Sequence, residues 1–182
     1  MNKIELQKAF EAVRSGDLNA FEEIYNYLKT PIFTIILRIT HDIALSEDIL
    51  QDVFIKLYQL PPAHLIKNPR AYIFQIAHNL AIDNLRKQPQ YADLENIENI
   101  ENLMYIPIDD VSDKLDIERA LKSLPLQECQ IVSLRINGEL KFREIAAMLD
   151  IPLGTVLWKY KKAIERLRYL LSEYMVDTGG KL

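Results

Sequence analysis

The sequence predicts an all-α protein of two small helical domains joined by an acidic strap, and three observations carry that expectation. Only five glycines occur in 182 residues, too few for a turn-rich β fold. Apolar residues recur at intervals of three and four through two long stretches. Between those stretches, from Gln88 to about Asp116, the periodicity stops and acidic residues accumulate.

Phe10 and Val13 mark a first amphipathic helix, and Phe21, Ile24, Tyr25 and Leu28 a second, with Ser15-Gly16-Asp17 as the break between them. Pro31 is expected to open a third helix, and Ser46 to cap a fourth with Glu47 and Asp48 in its first turn. Pro61-Pro62 ends that element; Asn68-Pro69 starts another that continues to about Lys87 before Pro89 stops it. Residues 1–88 form one domain on this reading, 89–116 the linker, 117–174 a second domain and 175–182 a tail. In the second domain four helices are expected: Ile117 to Leu124, Pro125 to Ile136, Phe142 to Leu149 and Thr155 to Tyr174. The break Asp150-Ile151-Pro152 has the short length of a helix-turn-helix.

The net charge of -4 conceals a strong division along the chain. Residues 1–88 hold ten basic and ten acidic side chains, residues 89–118 one and nine, and residues 119–170 ten and five. The helix-turn-helix is therefore the basic part of an acidic chain. On a wheel at about 100° per residue, Val156, Tyr160, Ala163, Leu167 and Leu171 of the last helix share a face suited to packing. Thr155, Lys159, Lys162 and Arg166 are expected to form a stripe on the opposite side, flanked by Lys161 and Arg168. Such a stripe, on the second helix of the motif, suits a major groove. In the first domain, SEDILQDVFIKLY sets Asp48, Gln51, Asp52, Ile55 and Gln59 on one helical face, an acidic and amide-rich ridge.

Several function classes are disfavoured by the same reading. MNKIELQKAF lacks the apolar run of a signal peptide, and Ile32 to Ile39 is too short to span a bilayer, so a cytoplasmic location is expected. Cys129 is alone and no Cys/His cluster has zinc spacing, so neither a disulfide, a metal nor a cofactor is expected. No nucleophile, carboxylate pair or ligand set converges, which argues against an enzyme and against a small-molecule substrate.

The stretch SLPLQECQIVSLRINGELKFREIAAMLDIPLGTVLWKYKKAIERLR resembles region 4 of bacterial sigma factors of the sigma-70 family. Leu124-Pro125, Glu144-Ile145-Ala146, Ile151-Pro152, Gly154-Thr155-Val156 and Leu167-Arg168 carry the likeness. Where that family usually continues Gly-Thr-Val with a basic residue and Ser-Arg, this chain has Leu157, Trp158 and Lys159. Glu47-Asp48 with Gln51-Asp52 resembles region 2.2, and NPRAYIFQIAHNLAIDNLRK regions 2.3 and 2.4, though Gln75 and His78 stand where arginine is frequent. With no room for region 1.1 or a full region 3, the compact extracytoplasmic-function (ECF) type is indicated.

The resemblance implies core RNA polymerase as partner, bound through its largest-subunit clamp helices by Asp48, Gln51, Asp52 and Ile55. It implies minus-10 promoter DNA held by Arg70, Tyr72, Asn79, Asp83, Arg86 and Lys87, with a flipped base captured near Pro61 to Lys67. Minus-35 DNA falls to Thr155, Lys159, Lys162 and Arg166. An anti-sigma factor is a further implied partner, and the acidic strap is expected to follow the basic RNA path of the polymerase. Two other readings stay open: a helix-turn-helix regulator acting without core polymerase, and a sigma-like interaction protein without promoter-specific initiation.

Overall fold

Among the described residues every regular element is helical, and eight helices follow one another in the chain. The computed structural model describes residues 3–59, 66, 68–87 and 114–178. The elements are α1 (Lys3–Arg14), α2 (Leu18–Thr40), α3 (Ile43–Tyr58), α4 (Pro69–Lys87), α5 (Lys114–Lys122), α6 (Leu126–Ile136), α7 (Phe142–Leu149) and α8 (Leu153–Thr178). Most of the strap, the loop around Pro61 apart from buried Ile66, and residues 179–182 lie outside the described residues.

The break after α1 is built as expected. Gly16 takes φ +88°, a left-handed conformation that a side chain resists. Asp17 then caps α2, its carboxylate accepting the N–H groups of Asn19 and Ala20 at 2.9 and 3.2 Å.

Two local expectations fail in α2 and α3. Pro31 opens no new helix; it sits inside the 23-residue α2. An interior proline costs about 3 kcal/mol, but Ile24, Leu28, Ile32, Ile35, Ile36 and Ile39 make one buried stripe on both sides of it. Each such side chain contributes roughly 1.5–3 kcal/mol when buried, so a continuous stripe outweighs the missing N–H. Nor is Ser46 an N-cap. Asp42 performs that role, accepting from the Leu45 N–H at 3.0 Å. Ser46 is fully buried, its hydroxyl 2.7 Å from that of Thr40 and bonded to the Asp42 carbonyl.

Helices α2, α3 and α4 pack against one another, with α1 lying on α2 and α4. In the second half, α8 packs against α5, α6 and α7. The helix-turn-helix is formed by α7 and α8. Asp150 adopts φ +53°, ψ +45°, and the Asp150 and Ile151 N–H groups both return to the Ala146 carbonyl, ending α7. Buried Ile145, Ala146 and Val156 fill the angle between the two helices, and the Phe142 and Tyr160 rings meet at 5.0 Å. The turn thus has the length the sequence requires. Helix α8 begins two residues earlier than expected, and α5 begins at Lys114.

The two halves are not separate in space. A single apolar cluster runs from Ile35, Ile73 and Phe74 of the first half to Ile131, Leu134, Leu140 and Met148 of the second. Polar ties follow the same seam. Arg38 donates to Glu118 at 2.6 Å, Asn137 at 2.7 Å and Ser133 at 3.0 Å. Asn68 donates to Glu144 at 2.6 Å, and the other oxygen of Glu144 accepts the Lys141 N–H at the start of α7.

Candidate nucleic-acid interface

The predicted ridge of α3 is a single surface. Asp48, Gln51, Asp52 and Ile55 are all exposed, Ile55 by 55%. Ile49, Val53, Phe54 and Leu57 point the other way into the core. Next to the ridge stands Tyr58, 60% exposed and edge-on to Phe21 at 6.0 Å. Sequence reasoning did not select it, because an aromatic one turn beyond Phe54 reads equally well as core.

On α4, five of the six residues expected at minus-10 DNA share one face. Asn79, Asp83, Arg86 and Lys87 are exposed and Tyr72 is half-buried in line with them. Arg70 is the exception. It lies almost opposite Tyr72 on the helix, its side chain only 13% exposed. Its Nε donates to the Gly138 carbonyl at 2.7 Å and its Nη1 to the Tyr27 hydroxyl at 2.8 Å, with Glu139 at 3.5 Å. Its guanidinium also lies over the Tyr27 and Phe74 rings. Phe74 itself is wholly buried.

The exposed face of α4 borders a cleft of about 360 Å³ shared with the second half. Asn79, Asp83 and Arg86 line one side, and Gln127, Gln130 and Asp150 the other. Gln75 ties α4 to α7, donating to the Met148 carbonyl at 3.4 Å. His78 is buried at its base, and neither ring nitrogen has a hydrogen-bond partner of good geometry. Burial holds its pKa below the ordinary value, and Arg86 pushes the same way, against the amides of Asn79 and Gln130 and the Asp83 carboxylate. His78 is therefore a neutral imidazole at pH 7.

On α8 the packing face is as expected: Val156 and Ala163 are buried, with Tyr160, Leu167 and Leu171 partly so. The cationic stripe is displaced. It was expected opposite that face, but Lys162 and Arg166 turn toward Glu128 of α6, at 3.9 and 2.9 Å. Glu128 has a side chain only 4% exposed, and a carboxylate so buried needs a cationic partner. Thr155 and Lys159 are half-exposed on the same flank. The outermost ridge, about a third of a turn away, consists of Gly154, Leu157, Trp158, Lys161 and Arg168. A wheel drawn for α8 alone contains no sign of Glu128, which lies 38 residues away in the chain from Arg166.

The arrangement is a helix-turn-helix behind a cationic flank, joined to a second helical module with an acidic ridge and a polar, aromatic face. Residues 24–90 match the family Sigma-70 region 2, and residues 120–169 match Sigma-70, region 4. The chain is 29% identical over 182 residues to the ECF RNA polymerase sigma factor SigW of Bacillus subtilis, spanning 92% of this chain and 97% of that protein. It is 30% identical over 165 residues to the ECF RNA polymerase sigma factor RpoE of Cereibacter sphaeroides, spanning 86% and 88%. In fold it is similar to the sigma factor RpoE solved in complex with the anti-sigma factor NepR from Bartonella quintana. The TM-score is 0.63 at 20% identity, over 84% of this chain and 96% of that one. This is a transcription-initiation protein: the chain belongs to the sigma-70 family and, within it, to the ECF sigma factors.

Proposed function

We propose that this sigma factor works as two grips yoked by its acidic strap. The α3 ridge of Asp48, Gln51, Asp52 and Ile55 docks on the clamp helices of core polymerase. Tyr72, Asn79, Asp83, Arg86 and Lys87 of α4 hold the opened minus-10 strand, where rings can stack on bases and amides pair with their edges. The N-terminal turns of α8 enter the major groove at minus-35, with Thr155, Lys159, Lys162 and Arg166 on the flank nearest the phosphates. No side chain performs catalysis; the protein positions an enzyme and melts DNA, and its place of action is the cytoplasm.

The observation that carries this reading is the pairing of a solvent-facing polar and aromatic face on α4 with an open α8 N-terminus. Minus-10 and minus-35 elements lie about 25 base pairs apart, about 85 Å at ~3.4 Å per base pair. In the structure α4 and α7 are in hydrogen-bond contact. Promoter engagement therefore requires the two modules to part, and Arg70 becomes available to DNA only when it leaves Gly138 and Glu139. The stretch from 88 to 113, about 26 residues, can bridge at most about 90 Å when extended, enough for that separation. An anti-sigma factor is a partner that would hold the closed arrangement.

Run-off transcription with core polymerase on a genomic fragment library tests the reading. Transcripts that start at selected sites only when this chain is present are expected. Binding to core polymerase without selective transcripts would favour the sigma-like interaction protein instead. Absence of both would sink the proposal.

A further inference from the structure

The exposed ridge at the start of α8 is apolar where a reader of phosphates and guanines would be cationic. Leu157 is 45% exposed and Trp158 57%. They stand side by side one turn into the helix, the part of a reading helix that reaches base edges. Gly154, just before them on the same face, has open space where a Cβ would be, so the backbone can approach DNA closely there. The nearest cations flank this apolar edge without occupying it. Lys162 is held 4.9 Å from the Trp158 ring centroid and 3.9 Å from Glu128. Lys161 is paired with Glu165 at 3.9 Å in an exposed contact that costs little to give up.

A leucine can neither donate nor accept a hydrogen bond. On the floor of a major groove its one complementary feature is the 5-methyl group of thymine. Trp158 has one face under the Lys162 ammonium, leaving the rest of the indole to widen the same apolar edge. From this we infer that Leu157 and Trp158 read the upstream promoter element by packing on thymine methyl groups. The inference rests on the reading of α8 as the minus-35 helix and adds its base preference: thymines, recognised by shape and apolar contact, in place of a guanine recognised by a bidentate arginine.

The test uses holoenzyme assembled from the full chain and core polymerase. Fragments it selects from a library are resynthesised with deoxyuridine replacing thymidine, base by base, in the upstream element. Each contacted methyl group lost should weaken binding about four-fold, the equilibrium equivalent of one buried carbon at ~0.8 kcal/mol. Leu157→Ala and Trp158→Ala should bring the thymidine-to-uridine ratio close to one. Leu157→Arg should abolish methyl dependence and shift selection toward guanine.

Equal binding of the two DNAs by the unaltered holoenzyme, with site selection intact, would overturn the inference and leave the sigma reading standing. Loss of core-polymerase affinity in Trp158→Ala, measured without DNA, would reassign the edge to protein docking and overturn it too. A holoenzyme that selects no sites overturns both readings together.

Discussion

Replacing Arg38 with alanine should loosen the seam between the two halves far more than replacing its ionic partner. Arg38 has a side chain only 11% exposed, and it donates to Glu118, Ser133 and Asn137 at 2.6–3.0 Å. Glu118 is 44% exposed, so solvent screening reduces that ion pair to about 0–1 kcal/mol. The bonds to Ser133 and Asn137 are different. Ser133 is 1% exposed, and a buried polar group deprived of its partner costs about 1–3 kcal/mol. Arg38→Ala should therefore destabilise the closed arrangement by about 2–3 kcal/mol, and Glu118→Ala by less than about 1 kcal/mol. Small-angle scattering of the free chain and amide exchange along α6 measure the effect: the arginine variant should expand and exchange faster, the glutamate variant barely at all. Equal effects of the two substitutions, or none from either, would refute the reasoning that buried hydrogen bonds and not ionic attraction hold the seam.

Three other outcomes follow from the same geometry. Glu128→Gln should release Lys162 and Arg166 from their buried counter-charge, lowering stability by about 1–2 kcal/mol after discounting for their partial exposure and steepening the salt dependence of DNA binding; thermal melting and a salt titration of binding check both. Asp48→Lys with Asp52→Lys, both exposed, should weaken core-polymerase binding at low ionic strength with an unchanged melting temperature. His78 and His41 are each held below the ordinary histidine value of 6.5, chiefly by burial. Their neutral forms favour the fold, so the stability they contribute is complete above pH 6.5 and is lost as pH falls below it, where the unfolded chain takes up the protons. The melting temperature should therefore drop between pH 7.5 and 5.5, and His78→Leu should flatten that slope, leaving the part due to His41.

Element types were legible in the sequence because glycine scarcity and three-four periodicity act locally. The α3 ridge was legible for the same reason: one helix, one buried face, everything else outside. The failures share a different cause. Pro31 was read as a boundary because a proline's local cost is visible in sequence, whereas the isoleucine stripe that overrides it gains its energy from the other helices packed on α2. Ser46 fits a cap by residue type, but Asp42 stands four residues earlier and the serine hydroxyl is used inside the core. The α8 stripe was misplaced because at ~100° per residue its members stand only about 110° from the packing face, not opposite it, which brings Lys162 and Arg166 within reach of Glu128, distant in sequence. Arg70 sits in a motif otherwise devoted to an exposed face, yet two residues along a helix is nearly a reversal of direction, and its partners belong to the other half of the chain.

The shared apolar cluster also constrains how such a chain can live between rounds of use. When the halves part, Ile131, Leu134, Leu140 and Met148 lose the cover that α2 and α4 give them. A molecule leaving its polymerase must fold back on itself or meet a substitute lining, and a crowd of splayed copies would cohere through the very residues that keep one copy shut. Overproduction should then be limited by clumping unless closure outpaces encounter.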